Sequence, residues 1–105
     1  MISDLYIFPG AVGLGPIQAL CFDLTPAIID SPIHNPEYDY LNEDNSVICD
    51  RAVSPEAYAN AIDAHLQDTA QWHRVRAQAW PSIQHLTVEN MAKNFVHGIN
   101  TILGA

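Results

Sequence analysis

Apolar residues along this chain follow two periods. In the first half they come as short runs, Leu5-Tyr6-Ile7-Phe8, Ala27-Ile28-Ile29 and the centre of Ser46-Val47-Ile48-Cys49-Asp50. Such brief, nearly continuous runs bounded by Pro, Gly, Asp or Asn are what buried parallel strands look like. Between the first two runs Ile17, Leu20, Cys21 and Leu24 recur at helical spacing. In the second half only the helical period remains. Ser54-Pro55-Glu56 supplies a cap, a first-turn proline and an acid for a helix with Tyr58, Ala61, Ile62 and Leu66 inward, running to about Gln67. Asp68 or Thr69 opens another, with Trp72, Val75 and Ala79 inward until Pro81. Thr87 caps the last, with Glu89 in its first turn and Leu86 and Met91 placed as a hydrophobic staple. There Val88, Met91, Ala92, Phe95, Ile99, Ile102 and Leu103 repeat at three and four, the stripe of a helix covered on one side, and Gly104 stands at its end.

The pattern predicts an α/β fold, a small parallel sheet of about three strands with helices on both faces. Its informative unit is strand, glycine turn, helix, strand, from Asp4 to Asp30. Gly10, Gly13 and Gly15 lie at the strand-to-helix corner, with Pro16 in the first turn of the helix. Open α/β sheets bind ligands at such corners, where free helix N–H groups can hold a phosphate. The plain alternative is that the glycines only make a sharp turn.

Length and charge narrow the possibilities. The 105 residues make one domain, which at this size buries roughly two thirds of its unfolded surface. An apolar fraction of 49% with 15% charged residues is that of a globular chain. No apolar run approaches the roughly 20 residues that cross a bilayer. Met1-Ile2-Ser3-Asp4 leads straight into a strand with no signal-peptide pattern, so a cytoplasmic location without membrane insertion is expected. The net charge of −8, with Arg51, Arg74, Arg76 and Lys93 the only cations, disfavours nucleic acid. Cys21 and Cys49 lack metal-ligand spacing and are expected to be buried apolar residues.

The corner resembles the donor-binding half of retaining glycosyltransferases with two Rossmann-like domains, the GT-B type. In that family an apolar strand ending in Pro and a small residue is followed by Glu-Gly-Phe-Gly-Leu, then by a second Glu with Ala. Phe8-Pro9-Gly10-Ala11-Val12-Gly13-Leu14 falls in that register, Gln18-Ala19-Leu20-Cys21 takes the place of Glu-Ala-Met-Ala, and Pro26-Ala27-Ile28-Ile29 supplies the next strand. Pro36-Glu37 matches a Pro-Glu in the family's following loop. Both family glutamates at the corner are replaced, by Gly10 and Gln18. The resemblance implies a partial Rossmann-like domain that binds a nucleoside-diphosphate sugar as substrate through Gly10, Val12, Gly13, Leu14, Gln18 and Glu37. It implies no metal and no further cofactor. The family's acceptor domain would then be supplied by the rest of a longer enzyme or by another chain. Its alternative is a non-catalytic interaction module or remnant with the same fold.

Other polar residues carry less chemistry. Asp30, His34, Glu37 and Asp39 gather near one end of the sheet without metal-ligand spacing and are expected in a solvated loop, with Asn35 capping one helical turn after Pro36. Asn42–Asn45 is expected as a turn. His65, His73, His85 and His97 are expected half-exposed on helices. Finally, Leu5–Phe8 is expected to pair on one side with Ala27–Ile29 and to present an apolar edge on the other, which predicts a homodimer formed by antiparallel pairing of that edge.

Overall fold

A computed structural model of the chain describes residues 3–104; Met1 and Ile2, read above as the lead into the first strand, and Ala105 lie outside them. Three parallel strands, β1 (Leu5–Ile7), β2 (Thr25–Ile29) and β3 (Val47–Cys49), form a sheet in that order. Helix α1 (Leu14–Cys21) joins β1 to β2, and a short 3-10 helix (Pro36–Tyr40) lies between β2 and β3. Four helices follow: α2 (Pro55–Gln67), α3 (Thr69–Ala77), α4 (Ala79–Ile83) and α5 (Val88–Ile102).

Central strand β2 pairs Leu5 with Thr25 and Ile7 with Ala27 on one side, and Ala27 with Val47 and Ile29 with Cys49 on the other. Its Pro26 has no N–H to give, which ordinarily bars proline from a central strand. The carbonyl of Ala27 accepts from Phe8 N–H on the β1 side, so Pro26 faces β3, and the β3 ladder begins only at the next residue. No ladder bond is lost.

Alternation along the strands serves two cores. Ile28 and Ile48 join Val12, Leu20, Leu41, Ala79 and Ile83 under α1 and α4. Ala27, Ile29, Val47 and Cys49 meet Tyr58, Ala61 and Ile62 of α2 on the other face. The fold is therefore α/β with helices on both faces of a three-stranded parallel sheet.

The predicted caps form at three helices: Ser54, Asp68 and Thr87 accept from the N–H groups of Ala57, Gln71 and Asn90, each at 3.1 Å. Helix α1 ends sooner than its apolar spacing suggests. Asp23 takes a positive φ of 57°, and Leu24 N–H donates back to the Ala19 carbonyl, closing a Schellman turn that leaves Leu24 buried beyond the helix. Cys21 in the last turn is exposed, contrary to expectation, because the buried side of α1 consists of Pro16, Ala19 and Leu20. On α2, His65 is buried and Leu66 is 40% exposed, the reverse of the sequence reading: the buried positions of the helix are Tyr58 and His65, seven residues and two turns apart. The Trp72–Ala79 helix breaks at Gln78, and Pro81 sits inside α4 at its third position, where an N–H has no intrahelical acceptor anyway.

The largest departure is α5, which buries none of its residues. Val88, Met91, Phe95, Ile102 and Leu103 are 66–85% exposed. With α5 standing off the body, the radius of gyration is 16.0 Å, against roughly 13 Å for a compact chain of this length.

Candidate functional site

The corner between β1 and α1 lies at the carboxyl end of the sheet and is built from two segments distant in sequence. After Phe8 the chain turns through Pro9–Gly13, and Val12 drops fully buried into the core. The loop that follows β2 holds it there. Val12 N–H donates to His34 Nδ1 at 2.7 Å, and the Val12 carbonyl accepts from Asn35 N–H at 3.0 Å and from Asn35 Nδ2 at 2.9 Å. A backbone N–H can only donate, so Nδ1 is the acceptor and the ring proton sits on Nε2, which donates to the Ile29 carbonyl at 2.6 Å. His34 is thus a strut between the corner and the end of β2. Asn35 does not cap the 3-10 helix, because its side chain is committed to Val12.

The glycines are not equivalent. Gly13, the residue before α1, has a φ of −135°, and a Cβ there would meet only Asn35 Nδ2, at 3.6 Å. At Gly15 a Cβ would overlap the Tyr6 hydroxyl and lie 3.2 Å from its Cζ, so any larger residue there must displace the Tyr6 ring. Tyr6 of β1 rests on the first turn of α1. Gly10 is exposed beside the Phe8 ring. With glycine in the cap position no side chain caps α1, and among the described residues the N–H groups of Leu14 and Gly15 have no acceptor. Pro16 brings no N–H. These free donors lie at the positive end of an eight-residue helix, at the carboxyl end of β1.

Beside them runs a groove of about 510 Å³ between α1, the 3-10 helix and the start of α5, lined by Leu14, Ile17, Glu37, Tyr40 and residues from His85 to Asn94. Glu37 is half-buried, and its Oε2 has no hydrogen-bond partner. Around the corner, Asp30 accepts from the Tyr38 hydroxyl at 2.9 Å and meets Arg51 at 3.4 Å. The Tyr38 bond first, and then Arg51, hold the Asp30 carboxyl below its usual range against some desolvation. Burial, followed by the bond to Asp30, pushes the Tyr38 hydroxyl up. His34 stacks on Tyr38 with ring centroids 4.4 Å apart. The loop expected to be solvated is therefore braced at Asp30, His34 and Tyr38, and only Asp39 of the acidic group is exposed. Among the described residues no three His, Cys, Asp or Glu side chains are grouped to hold a metal ion, and no helix is long and apolar enough to cross a membrane.

Of the residues singled out from sequence, Leu14 and Glu37 line the groove, while Gly10, Val12 and Gly13 lie in the turn before α1 and do not line it. Gln18 is exposed on α1 and does not line the groove. Sequence reasoning missed His34 and Asn35 as the partners of the corner, because their bonds to Val12 span 22 and 23 residues and follow no local period. It also missed Asn45, whose fully buried side chain joins the turn before β3 to Ser82 of α4. No family model, curated protein or solved structure matches this chain.

Proposed function

We propose that this chain is the donor-binding part of a nucleotide-sugar glycosyltransferase of the two-Rossmann-domain type, seating the diphosphate of a nucleoside-diphosphate sugar at the N-terminus of α1. The observation that carries the reading is the uncapped first turn of α1, with Leu14 and Gly15 N–H groups unpaired at the carboxyl end of a parallel sheet. Oriented N–H groups with a helix dipole behind them are an anion site. In this reading the sheet is one part of a Rossmann-like domain, and an acceptor-binding half completes the enzyme. Gly10 offers no side chain to the sugar, and the carbonyl oxygen of Gln18 takes the place of a carboxylate toward the ribose.

Calorimetric titration with UDP, GDP and their sugars tests it. Binding in the micromolar range that is lost in Gly13→Val is the expected result; the added side chain crowds the approach to the first turn while circular dichroism stays unchanged. Equal affinity in that variant removes the α1 N-terminus from the site. Gln18→Glu is expected to tighten binding through a restored ribose contact. Should none of the nucleotides bind, the second reading stands, a non-catalytic interaction module, favoured by the exposed apolar face of α5.

A further inference from the structure

Helix α5 exposes a stripe whose spacing is its own mirror image. Val88, Met91, Phe95, Ile99 and Ile102 are separated by three, four, four and three residues, so reversing the helix about Phe95 exchanges Val88 with Ile102 and Met91 with Ile99. At 3.6 residues per turn all five lie within about 40° of the direction of Phe95. Small residues flank the stripe symmetrically, Ala92 on one side and Gly98 on the other, each three positions from Phe95. A second copy laid antiparallel would thus bring Met91 level with the second copy's Ile99 and Ala92 level with its Gly98, each small residue facing a large one where the backbones approach.

We propose that α5 pairs with α5 of a second copy of this chain, antiparallel about a two-fold axis at Phe95. A two-fold contact uses one patch twice and needs that patch to be self-complementary. The stripe satisfies the need without reference to nucleotide binding. Its five side chains are 41–85% exposed; covered completely they would remove at most on the order of 600 Å² per copy, which puts the contact at the small, reversible end of specific interfaces. Charge agrees. The only charged residues of α5 are Glu89 and Lys93; the reversal places them opposite Thr101 and His97, so no two like charges of these residues meet. An anionic membrane is a poor occupant, because the polar face has a single lysine on a chain of net charge −8. Edge β1 is a poorer seam, being three residues long with Leu5 and Tyr6 half-buried. Val88 and Met91, with Asn90 and Asn94, also form the α5 wall of the groove beside Leu14, so the second helix would cover the mouth of that groove.

Sedimentation equilibrium of the full chain from about 1 to 200 μM tests the pairing. A reversible dimer is expected, with Phe95→Asp raising its dissociation constant by roughly 100-fold or more. The folded body should be unaffected, since α5 buries no residue in it. In a Cys21→Ser, Cys49→Ser background, chains carrying Ala92→Cys and chains carrying Gly98→Cys should cross-link to each other when mixed, faster than either links to itself. A chain that stays monomeric to 200 μM overturns the proposal. So does a dimer that survives Phe95→Asp but is lost in Ile7→Lys, which assigns the seam to β1, or a monomer that sediments with phosphatidylcholine vesicles. Self-linking at position 92 in preference to mixed linking would refute the antiparallel axis.

Discussion

Asp23 occupies the one non-glycine position with positive φ among the described residues, at the carboxyl end of α1. A side chain there is strained, and this one also places a negative charge where the helix dipole is already negative. Asp23→Gly removes both terms and returns some backbone entropy to the unfolded chain. It should stabilise by about 0.5–1 kcal/mol net, read as a rise of a few degrees in Tm; a fall would mean that the Asp side chain supplies an interaction worth more than the strain. At this scale the sequence was partly legible. Caps at Ser54, Asp68 and Thr87 could be read because donor and acceptor lie within three residues. The orientation of His65 could not, because two neighbouring helical positions differ only in which neighbour they meet.

At the scale of elements, the turn before β3 is held by one buried amide. Asn45 accepts from Asn42 N–H and the Ser46 hydroxyl and donates to the Tyr40 carbonyl and to Ser82 Oγ, linking the 3-10 helix, β3 and α4. Asn45→Ala strands several of these groups away from water and should cost about 2–4 kcal/mol, whereas Ser82→Ala, which removes one partner, should cost about 1. Urea midpoints of the two variants give the comparison, and equal losses would show that the network is not centred on Asn45. The glycine corner follows the same logic. Its existence could be read from Gly10, Gly13 and Gly15, but its rigidity comes from His34 and Asn35, whose positions depend on where β2 delivers the chain.

Over the whole molecule, stability should bend with pH at both ends. Burial lowers the pKa of His65 below its ordinary 6.5, partly offset by Asp68. Between the lowered value and 6.5 the unfolded chain binds a proton that the folded chain refuses, so stability falls as pH drops below about 6.5. His65 Nε2 has no partner, and His65→Leu should therefore flatten the profile between about pH 5 and pH 7 and raise stability throughout that range. An unchanged acid limb would place the titrating group elsewhere. Toward alkali, burial raises the pKa of Cys49 above 9.0 and of Tyr58 above 10.0. The folded state keeps those protons longer than the unfolded one, so stability declines above about pH 9.

The sequence by itself determined the α/β class, the three strands, the glycine corner and the starts of α2, α3 and α5, because short apolar runs, glycine turns and caps act over a few residues. Only the tertiary structure decided that His34 braces the corner, that Gln18 lies outside the lining of the groove, that His65 is inside and Leu66 outside, and that α5 buries none of its stripe in its own chain. Each of these depends on which distant surface arrives opposite a side chain. A period of 3.6 establishes that a helix has an apolar side; what covers that side is settled by the packing of the other elements, and here they pack without it.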